Sequence, residues 1–131
     1  MNNKLQEKIL HFQILENKIK QIRQKEQNVL MQINELERTK ESLDQIKESD
    51  SMIPIGAGVF VPAKITDSKH VLIGIGSGTA IKKTADECKE ILNNRIKEAE
   101  IVLGNIDKDA QKIINELTKV QAEIEKLQSK K

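Results

Sequence analysis

Residues 52–83 read MIPIGAGVFVPAKITDSKHVLIGIGSGTAIKK. The stretch is apolar and rich in β-branched residues, and it holds five of the six glycines and both prolines of the chain. It also repeats. Ile55-Gly56-Ala57-Gly58-Val59-Phe60-Val61 matches Ile75-Gly76-Ser77-Gly78-Thr79-Ala80-Ile81 at an offset of 20 residues. On both sides lie long charged arms of different character, so this stretch decides the fold.

Four short β-prone runs are predicted: Met52 to Ile55, Val59 to Ile65, His70 to Ile75, and Thr79 to Lys83. Gly56 and Gly58 flank one tight loop, and Gly76 and Gly78 flank the other; both are of hairpin type. Thr66-Asp67-Ser68-Lys69 is turn chemistry joining the halves. Pro62 lacks a ladder donor and belongs at an edge or a bulge.

The glycines also invite a phosphate. A dinucleotide fingerprint needs Gly-x-Gly-x-x-Gly between a strand and a helix, and a phosphate loop needs Gly-Lys-Ser/Thr. Gly74, Gly76 and Gly78 instead follow at spacing two and lead into another strand. No nucleotide site is expected.

Isolated hairpins are marginal in water. The apolar set Ile53, Ile55, Val59, Val61, Ile73, Ile75 and Ile81 needs cover, as do the strand edges. Arms that point away from the hub would supply little of it. Assembly is therefore predicted, with strands of several chains closing a shared sheet or barrel.

The first arm contains no Gly and no Pro from Leu5 to Glu48. With heptad position a at Leu5, Phe12, Ile19, Glu26, Ile33 and Lys40, position d falls at Lys8, Leu15, Ile22, Val29, Leu36 and Leu43. Nine of these twelve sites are apolar, which reads as a coiled-coil seam. Glu26 and Lys40 either fix register or mark a local opening. Some 44 residues make a helix of roughly 65 Å, expected to stop near Ser49-Asp50-Ser51, before Pro54.

The second arm opens with a capping box, Thr84-Ala85-Asp86-Glu87. Its a positions are Lys89, Ile96, Leu103, Ala110, Leu117 and Ile124. Its d positions are Ala85, Leu92, Ala99, Ile106, Ile113, Val120 and Leu127, so twelve of the thirteen sites are apolar. Gly104 falls outside the seam and leaves the phase unbroken. Two arms of similar length on a hairpin-sized hub suggest one antiparallel coiled coil. Residue numbers summing to 132 align Leu5 with Leu127, Phe12 with Val120 and Leu36 with Ile96. On the flanks Lys18 would face Glu116, Lys25 Asp109 and His11 Glu123, with Arg23 near Asp107. Asp44 near Asp86 is a mismatch in this register.

The distal ends carry Leu5, Ile9, Leu10 and Phe12 on one arm and Val120, Ile124 and Leu127 on the other. They are either frayed coil ends or an exposed apolar contact surface.

Composition narrows the function. With 22 basic and 20 acidic residues, the net charge of +2 gives no broad basic surface for nucleic acid. Aromatics at 2% are too few for base stacking. Cys88 is alone, and neither His11 nor His70 stands in a ligand or triad pattern. No metal, no cofactor and no enzyme activity are expected. No secretory signal is read, and no apolar stretch nears the roughly 20 residues that span a bilayer. A cytoplasmic protein without membrane association is expected.

An arm, a hairpin with Ile-Pro-Ile-Gly-Ala-Gly-Val-Phe-Val, a second with Val-Leu-Ile-Gly-Ile-Gly-Ser-Gly-Thr-Ala-Ile-Lys-Lys, and another arm: this pattern resembles the α-type subunit of prefoldin along the whole chain. The likeness is most specific between Pro54 and Thr84, and the second hairpin distinguishes the α type from the β type. Short ends suggest an archaeal-type subunit. The resemblance implies a mainly α fold with a small β hub in a single domain, 1–131. Its parts would be an N-terminal helix at 3–49, the double hairpin at 52–83 and a C-terminal helix at 84–130.

It further implies assembly with β-type subunits, two α and four β, through a double β-barrel that also joins a second α subunit. The complex would be an ATP-independent holdase that binds non-native client proteins at the coil tips and passes them to a group II chaperonin. Leu5, Ile9, Leu10, Phe12, Val120, Ile124 and Leu127 then become client-contact candidates. The alternative is a structural or filament-forming relative that binds no clients.

Overall fold

A computed structural model describes residues 2–129. The order is α1 (Asn2–Leu43), β1 (Ser49–Gly56), β2 (Val59–Ile65), β3 (His70–Gly76), β4 (Thr79–Thr84) and α2 (Ala85–Ser129). Contacts divide the chain into two compact units, Met1–Ile33 with Glu98–Lys131, and Asn34–Lys97.

The first unit is built from α1 and α2 alone, so whatever one helix buries the other must cover. From Leu5 to Ile33 every a and d residue is buried or half-buried, and every other described residue is exposed. On α2 the nine seam residues from Ala99 to Leu127 are likewise covered, joined by Ile114 and Glu123. Leu15, Ala110 and Val120 are the buried residues of this unit. Lys8 forms an ion pair with Glu123, and Glu26 and Leu30 share a surface groove with Leu103 and Asp107. The helices are therefore antiparallel. Glu123 takes Lys8 and not His11 as its ion-pair partner. Arg23 turns along its own helix, donating to both carboxylate oxygens of Glu26 at 3.2 and 3.3 Å, rather than toward Asp107.

The second unit holds the hairpins. α1 ends at Leu43, short of Ser49, and β1 begins three residues before Met52. The reason is the ladder: Ser49, Ser51 and Ile53 pair with Ile65, Ala63 and Val61, which draws Ser49–Ser51 into the sheet. Residues 44–48 make the change of direction, starting with turns from Asp44 N to Glu41 O and from Gln45 N to Ser42 O.

Each hairpin is its own two-stranded antiparallel sheet, β1-β2 and β3-β4. Both carry a register irregularity one step before the loop, at Pro54/Gly56 and at Gly74/Gly76. The loop residues have positive φ, 50° at Ala57 and 79° at Gly58, 53° at Ser77 and 71° at Gly78. That is type I′ geometry, whose twist matches the flanking strands. The internal repeat is thus one hairpin design used twice.

The core of this unit is Leu43, Ile73, Cys88 and Leu92, with Leu36, Ile46, Val71, Ile81 and Ile91 packed around it. The helices therefore do cover one face of the second hairpin, contrary to the expectation that the arms supply little cover. Burial pushes the Cys88 thiol pKa up, which disfavours the thiolate and suits a packing residue.

Candidate binding surfaces

The second hairpin is two-faced. Alternation along β3 turns Ile73, 7% exposed, into the core and leaves Leu72, 73% exposed, on the opposite side. Ile81 lies opposite Ile73 in the ladder and packs on the same core. Ile73 is therefore committed to the chain's own helices, Ile81 is half-buried against the same core, and Ile75 remains exposed.

The first hairpin is half-buried at its base, at Ser49, Ser51, Ala63 and Ile65, and bare on both sides beyond it. Ile53 pairs with Val61 on one face, and Met52–Pro62 and Pro54–Phe60 occupy the other. Met52, Ile53, Ile55, Val59, Phe60 and Val61 are all exposed. Each sheet also has two unpaired strand edges. Exposed edges and a contiguous apolar surface are what strand addition from another chain covers. Gly56, Gly58, Gly76 and Gly78 all lie at the two tight loops with positive φ.

Hydrogen bonds brace the second hairpin. Asp67 Oδ1 accepts from the backbone N–H of Lys69 at 2.8 Å and of His70 at 3.1 Å, and Oδ2 lies 3.0 Å from His70 Nδ1. These contacts, the Lys69 N–H first, hold the Asp67 pKa below the usual carboxylate range. Thr84 and Glu87 form the reciprocal capping box, each backbone N–H donating to the other's side chain at 3.1 Å. Lys89 resolves the Asp44–Asp86 mismatch by sitting between them, paired with Asp44 and 3.9 Å from Asp86. Arg95 Nη2 donates to the carbonyl of Gly74 at 2.8 Å. Sequence reasoning missed this bond, because nothing local links a helix residue to a strand carbonyl 21 positions earlier.

At the distal end of the coiled-coil unit the contact candidates separate. Ile9 and Leu10 are exposed. Leu5, Phe12, Ile124 and Leu127 are half-buried in the seam. Val120, 4% exposed, is interior and presents no surface. Ile14, not singled out from the sequence, is exposed and lies one turn from Leu10. Its spacing from Leu10 was the available signal.

A family model described as "Prefoldin subunit" matches residues 3–130. This chain belongs to the prefoldin family, as an α-type subunit. The chain is 34% identical over 99 residues to "Prefoldin subunit alpha 1" of Thermococcus kodakarensis, covering 72% of this chain and 68% of that one. It is 28% identical to "Prefoldin subunit alpha" of Methanococcus vannielii, over 96% of this chain and 87% of the relative. Among solved structures, the filamentous prefoldin of Methanocaldococcus jannaschii superposes with a TM-score of 0.57 at 15% identity, covering 94% and 99% of the two chains. That likeness concerns the fold: two long helices with two hairpins between them.

Prefoldins are chaperone subunits without enzymatic activity, and they assemble into hetero-oligomers. Among the described residues, no helix is long and apolar enough to cross a membrane.

Proposed function

We propose that this chain is the α subunit of a cytoplasmic, ATP-independent holdase. Two copies join four β-type subunits through the hairpins, whose exposed edges close a shared double barrel. The coil ends hold non-native client proteins and pass them to a group II chaperonin. No nucleotide, cofactor or metal takes part.

The observation that carries this reading is the outer part of the first hairpin, from Met52 to Val61, apolar and exposed on both faces. Ile53, Ile55, Val59, Val61 and Ile75 supply the assembly surface, with Met52, Phe60 and Leu72 added to it. Ile9, Leu10 and Ile14 form the client surface, with Leu5, Phe12, Ile124 and Leu127 becoming available where the coil end opens.

The test is reconstitution with a β-type subunit, followed by mass measurement and an aggregation assay on a chemically denatured enzyme without ATP. A closed six-chain particle that suppresses aggregation is expected. A filament, or a particle that leaves aggregation unchanged, would overturn the proposal.

A further inference from the structure

Three unfavourable choices meet at one level of the coiled-coil unit. Glu26 occupies a seam position, where a carboxylate weakens the packing. Gly104 stands in mid-helix, where glycine is a poor helix former. Leu30 is left exposed. Glu26 and Gly104 lie far apart in sequence, yet both line one open groove, with Leu30, Glu100, Leu103 and Asp107 completing it. Local rules broken together at one place are the mark of a functional site more than of drift.

The groove has a definite chemistry. Its floor is apolar, Leu30 and Leu103. It gains depth at Gly104, where an added Cβ would meet nothing within 4 Å. Its rim carries three carboxylates. Arg23 takes up Glu26, while among the described residues Glu100 and Asp107 have no ion-pair partner. Two free carboxylates over an apolar floor fit a long side chain with an aliphatic stem and a cationic head.

We infer that this groove is a docking site for a segment of another protein that presents lysine or arginine beside apolar side chains. The stem lies on Leu30 and Leu103 over Gly104, and the cationic head reaches Glu100 and Asp107. The site is separate from the coil ends, about 30 Å along α1 from Leu10, and it does not depend on holdase activity.

The experiment is fluorescence anisotropy of a labelled peptide alternating leucine and lysine, titrated with the assembled chain. Gly104→Leu places a side chain in the groove, its Cβ in open space, and favours the helix. The pair Glu100→Gln with Asp107→Asn removes the charge and keeps the shape. Each is expected to weaken binding about ten-fold or more, with helicity by circular dichroism unchanged. A peptide with glutamate in place of lysine is expected not to bind. Unaltered affinity in Gly104→Leu, unaltered affinity in the Glu100→Gln with Asp107→Asn pair, or no binding of the lysine peptide at all would each overturn the inference.

Discussion

Arg95 on α2 donates its guanidinium to the carbonyl oxygen of Gly74 on β3, at 2.8 Å. Gly74 stands at the register irregularity of the second hairpin, where a carbonyl readily goes without a ladder partner. The bond ties the strand to the helix beside the Ile73 core. Replacing Arg95 with alanine is expected to cost about 1 kcal/mol, low for a charge-assisted bond because the site is exposed. Thermal unfolding of the assembled chain would show it, and a midpoint unchanged from the native chain would count against this role.

Acid should loosen the start of α2. The Glu87 pKa lies below its ordinary value, chiefly because its carboxylate accepts from the Thr84 N–H, with the Thr84 hydroxyl and Lys83 adding to the effect. A pKa depressed on folding contributes stability that is present above the unfolded value and lost as pH falls through the folded one. Asp67 and Glu123 shift in the same direction, Asp67 through the Lys69 N–H and Glu123 through Lys8. Stability should therefore fall on acidification below the carboxylate range, roughly pH 4. Glu87→Gln keeps an acceptor for the capping box but removes one titration, so its thermal midpoint should depend less steeply on pH there. An identical slope would show that Glu87 contributes nothing to the acid loss.

The loops offer an independent test. Ala57 has φ 50°, a left-handed conformation that costs an ordinary L-residue about 1–2 kcal/mol. Ala57→Asn would make Asn-Gly with Gly58, the favoured type I′ pair, and is expected to raise the denaturation midpoint. Ala57→Val should lower it.

Gly104 should be a place where stability and binding oppose each other. Its Cβ position is open, so Gly104→Ala is expected to stabilise the chain by about 1 kcal/mol through helix propensity alone. Denaturant unfolding would measure this. A destabilised variant would mean that the backbone there depends on glycine.

The coil ends can be tested apart from the fold. Leu10 and Ile14 are exposed, whereas Leu15 is fully buried. Leu10→Ser with Ile14→Ser should reduce suppression of aggregation with little change in stability. Leu15→Ala should do the reverse first, lowering stability by about 2–5 kcal/mol.

Much of this protein could be read from the order of its residues, because the signals are local. Heptad spacing selected most of the residues that each helix buries, from Leu5 to Leu127, but not Cys88, Ile114 or Glu123. Thr84 and Glu87 marked the start of α2, and the glycine-flanked loops marked both hairpins, since capping and turn geometry depend on a few neighbouring residues. What tertiary structure alone decided are relations between segments brought together by the fold. It placed Ile73 inside with Ile81 half-buried against it, and left the outer part of the first hairpin bare, because the core forms where Leu43, Cys88 and Leu92 meet one strand face. It moved Val120 from candidate contact to interior. It put Lys89 between two aspartates and brought Glu26 beside Gly104. Which side chains meet across two helices depends on their packing and rotation as well as on spacing along either chain segment, and no local signal encodes that.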